Sequence, residues 1–223
     1  MNYFVATLLS QMKRKWIILL ITLIVLITAA ILIVPRFTKY HLPIAIKAKP
    51  EEMNQEFLFI QQKAKELKHY CKSHQYSTSF ACILDMNQHS GKKRFYVYDF
   101  EKDTIACTGL VAHGSCNEYY LSKAKFSNKV GCGCSAYGRY KIGNSYLGRF
   151  GKAYKLYGLD TSNNNAFERN IVLHAYDCVP DETSYPQPIC NSLGCTMVSY
   201  SFLKKVSSYI DKTKKPLVLW MLH

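Results

Sequence analysis

Two neighbouring stretches decide how this chain is read: "NIVLHAYDC" (170–178) and, nine residues later, "PICNSLGCTMV" (188–198). The first is an aliphatic run of strand type with a histidine inside it. The second is a strand–turn segment in which Cys195 follows Gly194. A cysteine nucleophile needs a route to thiolate, room for a substrate carbonyl and donors for the developing oxyanion. His174 could supply the first, and a glycine without a side chain allows the second. Backbone N–H groups around Gly194 and Cys195 could supply the third, a contribution typically of about 2.7–4 kcal/mol. By itself a Cys–His pair leaves two other readings open, a buried thiol beside a core histidine and half of a metal site. The metal reading is weak, because Cys132-x-Cys134 followed by single, widely spaced cysteines is not a known ligand spacing.

Upstream, the period of the sequence is mostly that of strands. "FACILDMN", "KRFYVYDF" and "TIACTGLVAHG" are rich in β-branched and aromatic residues, with "HSGKK" and "EKD" as turns, and the last two form an expected hairpin. The stretch from Phe126 to Asp160 combines glycine with aromatics and suits strand edges and tight turns. "AYKLYGL" and "NIVLHAY" follow as strands, "SYSFLKKVSSYIDK" as a short amphipathic helix, and "KPLVLWML" as a closing buried strand. Before all of these, the segment from Pro50 to Cys71 opens with acidic residues and closes with Lys and His, as a helix should. Its apolar positions Phe57, Ile60, Ala64 and Leu67 recur at helical spacing, so it is expected to pack on the following domain.

The N-terminus carries "WIILLITLIVLITAAILIV", 19 uncharged residues from Trp16 to Val34. As a helix this run spans roughly 28 Å, close to the hydrocarbon thickness of a bilayer. Lys13, Arg14 and Lys15 precede it, which predicts a cytoplasmic N-terminus and export of the remainder. The run exceeds the apolar core of a cleaved signal peptide and has its small residues inside it, so a retained anchor is expected. Beyond it the chain holds 26 basic and 15 acidic side chains, a net charge of +11, which favours an acidic polymer or lipid surface as partner. Nucleic acid is not expected, since no zinc-finger, helix-turn-helix or RNP-type motif is present. Nine cysteines, an odd number, leave at least one thiol unpaired in a monomer, and the sequence does not give their connectivity.

His174, seventeen intervening residues, and then Ser192-Leu193-Gly194-Cys195 form a pattern that resembles the signature of YkuD-type L,D-transpeptidases. "RFYVYDF", "VAHG", "KFSN", "GRYKIGNSYLGRFGKAYKLYGLD" and "NNNAFERNIVLHA" resemble one branch, the murein L,D-transpeptidase catalytic domain family, over about residues 78–221. The resemblance implies a mainly β, β-sandwich-like catalytic domain with one or two packed helices. It implies attack by the cysteine on the third residue of a peptidoglycan tetrapeptide stem, expulsion of the terminal D-Ala, and resolution by a neighbouring stem to give a 3–3 cross-link. Carried over, Cys195 is the nucleophile and His174 the base, with Ser192 and Gly194 completing the catalytic segment. His113, Asn128 and Arg169 are the implied substrate-binding residues, Arg169 through its bidentate fork. No cofactor and no metal is implied.

Three positions depart from the wider pattern. Leu193 stands where most members have His, Thr196 where many have Arg, and Ala175 where many have Ser or Gly. The third, orienting member of the triad is therefore open between Ser192, a backbone carbonyl and a distant group such as His113. Alternative readings are an L,D-carboxypeptidase on the same substrate and a catalytically silent wall-binding domain. The organisation expected is a cytoplasmic N-terminus (1–15), a transmembrane anchor (16–34), a stalk and helix (35–77) and the catalytic domain (78–223). The protein is expected to be a monomer, held in the cell membrane by a single pass, with its catalytic domain on the periplasmic side acting on peptidoglycan stems.

Overall fold

The computed structural model describes residues 14–17, 19–28 and 50–223. Two units are present, Met1–Ile44 and Ala45–His223. In the first, residues 14–17 and 19–28 are helical. The hydroxyls of Thr22 and Thr28 bond back to the carbonyls of Leu19 and Val25, at 2.9 and 3.0 Å. Among the described residues no helix is long and apolar enough to cross a membrane. The expected span 16–34 includes residues 18 and 29–34, which lie outside the described ones, as does the expected stalk at 36–49.

The second unit begins with helix α1 (Pro50–Ser73). Eight strands follow: β1 (Phe80–Asp85), β2 (Phe95–Asp99), β3 (Thr104–Gly109), β4 (Gly138–Gly148), β5 (Gly151–Gly158), β6 (Val172–Ala175), β7 (Thr196–Val198) and β8 (Val218–Leu222), with helix α2 (Tyr200–Ile210) before the last. The strands form one sheet in the order β3-β2-β1-β8-β4-β5-β6-β7. The β1–β8 and β6–β7 pairs are parallel and the others antiparallel.

The pleat of β1 sorts its residues between two cores. Ala81 and Ile83 join Tyr96, Tyr98 and Val218 under Ile60, Ala64, Leu67 and Cys71 of α1. Cys82 and Leu84 face the other way, with Phe95, Val97, Tyr140, Tyr154 and Leu219 and with Phe202, Leu203, Val206 and Ile210 of α2. Strands buried on both faces read as continuous apolar runs, which is why "FACIL" and "VLWML" do not alternate. Helix α1 is therefore part of the domain, and its edge is fixed by Lys68 donating to the Phe100 carbonyl at 3.0 Å and by Arg139 lying 4.0 Å over the Tyr70 ring.

Helix α2 is capped by Ser199, whose hydroxyl oxygen accepts the Phe202 N–H. Phe202 packs edge-on against Phe95 of β2, with ring centroids 5.2 Å apart, and over Gly109 of β3, where any Cβ would come within 2.5 Å of the ring. Beyond the far end of the helix, Asp211 accepts the hydroxyl of Tyr154 on β5 at 2.9 Å. One helix thus touches both halves of the sheet. Past β3 the chain reaches the opposite edge, where the Ala112 N–H donates to the Met197 carbonyl of β7 at 2.8 Å. The expected β-sandwich is in fact one continuous sheet curled around α2 until its edges meet.

The glycine-rich middle contains an 11-residue strand, β4, whose pairing with β5 shifts register between Ile142 and Ser145. That irregularity accommodates Gly143, where a Cβ would lie 2.8 Å from the Tyr157 ring. The cysteines pair as Cys116–Cys134 and Cys178–Cys190, leaving Cys71, Cys82, Cys107, Cys132 and Cys195 free.

Because Leu67 is almost fully buried under the sheet, Leu67→Ala should lower unfolding stability by about 2–5 kcal/mol. Urea denaturation followed by tryptophan fluorescence measures this. A change below about 0.5 kcal/mol would mean that α1 is a solvated spacer and not core.

Candidate active site

Strand β6 pairs in parallel with β7, with Leu173 opposite Thr196 and His174 opposite Met197. Cys195 is the residue just before β7 and packs against the cluster of Leu110, Ala112, Val179, Ile189 and Met197. Opposed residues of paired strands share a face, so His174 projects on the side of Met197. The opposite face carries Leu173 and Val198 into the main core. Twenty-one positions of sequence separation thus collapse to one strand and the residue just before its neighbour.

The turn before Cys195 is held from several sides. The Ser192 hydroxyl donates to the Cys195 carbonyl at 2.7 Å and accepts the Gly194 N–H at 3.1 Å. Ser192 also pairs with the 113–115 segment, its N–H donating to the His113 carbonyl and its carbonyl accepting from Ser115, both at 2.8 Å. Gly194 has φ +112°, where a side chain is strained, and a Cβ there would meet the Cys134 carbonyl at 2.7 Å. Glycine is required at this position. Its N–H is spent on Ser192, so this donor, expected to serve an oxyanion, is occupied while the turn holds this form. Leu193, between them, is 78% exposed.

The His174 ring is buried, and its Nδ1 lies 2.9 Å from the Ala175 carbonyl. A carbonyl only accepts, so Nδ1 carries the proton and Nε2 is left as the basic nitrogen. Of the candidates for an orienting group, the backbone carbonyl makes this contact. The face of the ring is covered by Phe150 from the β4–β5 turn, stacked at 4.5 Å and 20°. Burial holds the imidazole below its ordinary pKa, against the opposing pull of the Ala175 carbonyl, and keeps it neutral at pH 7.

Cys195 is a free, partly exposed thiol. Its hydrogen bond goes to the Asn170 carbonyl at 3.7 Å and not to His174. Burial raises its pKa, opposed by the Val172 backbone N–H and by the positive charges of Lys155 and Arg169. The resting pair is therefore a neutral thiol and a neutral imidazole. Catalytic contacts often tighten only with substrate bound.

The three residues expected to bind substrate each make hydrogen bonds within the protein. His113 has no exposed surface, and its Nδ1 accepts from Arg94 at 2.7 Å. Burial first, and then the Arg94 charge, pull its pKa down to about 3. Arg94 is itself fully buried and also donates to the carbonyls of Gln88 and Val111. The pair anchors the 111–115 segment and leaves His113 enclosed, with no face open to a ligand. Asn128 donates to the Thr161 carbonyl and Asn164 Oδ1, at 3.2 and 2.6 Å, and accepts the Asn165 N–H at 3.3 Å. Its amide is committed to joining two loops. Arg169 donates to the Ser127 carbonyl at 2.9 Å, to the Cys134 carbonyl and to Cys132 Sγ at 3.5 Å. That guanidinium braces the loop beneath Gly194, with three of its five N–H donors engaged by protein. Lys155, Asn170, Phe150 and Arg94 are the site residues that sequence reasoning did not single out. Among the described residues no cluster of three or more His, Cys, Asp or Glu is placed to hold a metal.

A family model described as an L,D-transpeptidase catalytic domain matches residues 51–220. The chain belongs to that family. The match takes in α1 as well as the sheet. No curated protein matches the chain. Among solved structures, the helical cell shape determining protein from Campylobacter jejuni is 15% identical, with TM-score 0.41, over 66% of this chain and 49% of that one. The L,D-transpeptidase from Xylanimonas cellulosilytica is 10% identical, with TM-score 0.39, over 65% of this chain and 60% of that one. The L,D-transpeptidase from Mycobacterium smegmatis is 12% identical, with TM-score 0.37, over 65% of this chain and 59% of that one. The chain thus spans between about half and three fifths of these structures.

With both groups neutral at rest, the alkylation rate of Cys195 by iodoacetamide should rise with pH through a midpoint above the ordinary cysteine value of about 8.5. A midpoint below about 7 would instead show a preformed thiolate–imidazolium pair.

Proposed function

We propose that this protein is a membrane-anchored peptidoglycan L,D-transpeptidase working through a Cys195 acyl-enzyme. The observation that carries this reading is a free thiol just before β7 and a neutral histidine on the strand paired with it, behind a turn that only glycine can form, within a domain of this family. In the proposed reaction the Cys195 sulfur attacks the carbonyl carbon of the third stem residue while its proton passes to His174 Nε2. Collapse of the tetrahedral intermediate breaks the peptide bond, and the departing D-Ala amine takes that proton. The resulting thioester is attacked by the side-chain amine of a neighbouring stem, which yields its proton to His174. A 3–3 cross-link forms and the thiol is regenerated. Water in place of the amine would make the protein an L,D-carboxypeptidase. Ser192 and Gly194 hold the nucleophile's turn in this scheme.

Anchoring is part of the proposal. The 19-residue uncharged run behind Lys13, Arg14 and Lys15 supports a single pass with the domain on the periplasmic side. The helical conformation of 19–28, with its threonine hydroxyls bonded back to their own turns, suits an apolar surrounding. The net positive charge of the exported part suits an anionic wall polymer.

A second reading, a silent wall-binding domain on the same scaffold, is favoured by one observation, the Cys195 thiol turned to Asn170. The two separate in a direct assay of the full chain in detergent with purified muropeptides. Mass spectrometry should show D-Ala release with 3–3 dimers or tripeptides. Cys195→Ala should abolish it, and His174→Ala should slow it by about a hundredfold or more. Wall binding without any product would support the silent domain and reject the enzyme, whereas an unchanged rate in Cys195→Ala would reject Cys195 as the nucleophile.

A further inference from the structure

Next to the candidate nucleophile stands a half-buried cation with no acidic partner. Lys155 on β5 lies opposite Val172 of β6, the strand that pairs with β7 just past Cys195. Lys155 and Val172 project from the same face as His174. Lys155 Nζ donates to Asn170 Oδ1 at 2.9 Å, and the carbonyl of the same Asn170 accepts the Cys195 thiol. Amine and sulfur therefore converge on a single residue. Asn170 is held there in the left-handed region, at φ +56°.

An ammonium group offers three donors, and Lys155 uses one of them within the protein. None of the ion pairs among the described residues includes it. Its remaining stabilisation comes from the Phe167 ring, 4.9 Å away. Arg169, the other cation near the thiol, has its guanidinium occupied by the Ser127 and Cys134 carbonyls and Cys132. Arg169 gives three of its five N–H donors to the loop it braces, whereas Lys155 keeps two of its three for an incoming anion. Partial burial disfavours its charge, and the neighbouring Cys195 is the opposing influence, so a bound anion would relieve an existing cost.

We infer that Lys155 is a specificity-determining residue that receives the C-terminal carboxylate of the donor stem, so that the site selects peptides with one residue beyond the attacked carbonyl. The inference rests on the transpeptidase reading above. In that reaction the leaving D-Ala carries its carboxylate about 3.5 Å, one residue, past the scissile carbonyl. A cation one strand removed from the strand beside the nucleophile is placed to meet it, and a charge-assisted hydrogen bond supplies discrimination against an uncharged end. Asn170, joined to both Lys155 and the thiol, is the positioning residue.

The test compares the full chain, in detergent, on a synthetic tetrapeptide stem with a free C-terminal carboxylate and on the same peptide ending in a carboxamide. The wild type should prefer the carboxylate in kcat/KM by about tenfold or more. Lys155→Met should lose that preference, with kcat/KM falling by at least tenfold more on the carboxylate than on the amide, mainly through KM, while circular dichroism shows an intact fold. Lys155→Arg should restore part of it. Equal turnover of both peptides by the wild type would overturn the inference and leave the transpeptidase reading standing. So would an equal loss on both in Lys155→Met, which would show a cation acting on the sulfur instead. Turnover of neither peptide by the wild type would reject both.

Discussion

Everything distinctive about this domain depends on the parallel pairing of two short strands, Val172–Ala175 and Thr196–Val198. Parallel neighbours cannot be joined by a tight turn, so the chain must leave the sheet and return. The connection is stapled by the Cys178–Cys190 disulfide, and Val179 and Ile189 bury themselves against Leu110, Ala112 and Met197. Its return ends in the Ser192–Gly194 turn, where the hydroxyl of one residue ties down the backbone of the others. Register then sets His174 opposite Met197, with Cys195 just before the strand that carries it. A slip of one residue would turn His174 into the core.

Burial sets the chemistry of that pair. The same packing that fixes His174 between Phe150 and the Ala175 carbonyl keeps its ring neutral. The thiol is likewise pushed toward its neutral form, with nearby positive charge working against that push. A pair of this kind suits proton transfer during attack rather than a standing ion pair. Charge elsewhere is spent on architecture. Buried Arg94 holds His113 and the segment that closes the sheet, and Arg169 braces the carbonyl against which Gly194 packs.

Much of this was legible in the sequence, for reasons that particular residues show. The β2–β3 hairpin, α2 and β8 follow from local patterns of apolar residues, and each lies where those patterns place it. The Cys195–His174 pair was legible because its spacing and the required glycine are local to two segments. His113, Asn128 and Arg169 were recognisable as unusual, but their roles were not, since their partners Arg94, Asn164, Asn165 and Cys134 come from elsewhere in the chain. Only the folded arrangement shows that each makes hydrogen bonds within the protein. Lys155 had the opposite fate. In "AYKLYGL" it reads as an ordinary solvated lysine, and its position beside the nucleophile appears only once β5 and β6 are in register. The closure of the sheet by the Ala112–Met197 and Gly114–Ser192 bridges leaves no signature in either segment.

The most direct measurement is intact-protein mass spectrometry of the full chain quenched in acid shortly after mixing with a tetrapeptide stem, followed by peptide mapping. The account predicts a transient adduct equal to the stem without its terminal D-Ala, joined as a thioester to the peptide that contains Cys195. A chain that releases D-Ala with no such adduct, or that carries it on another residue, would contradict the account.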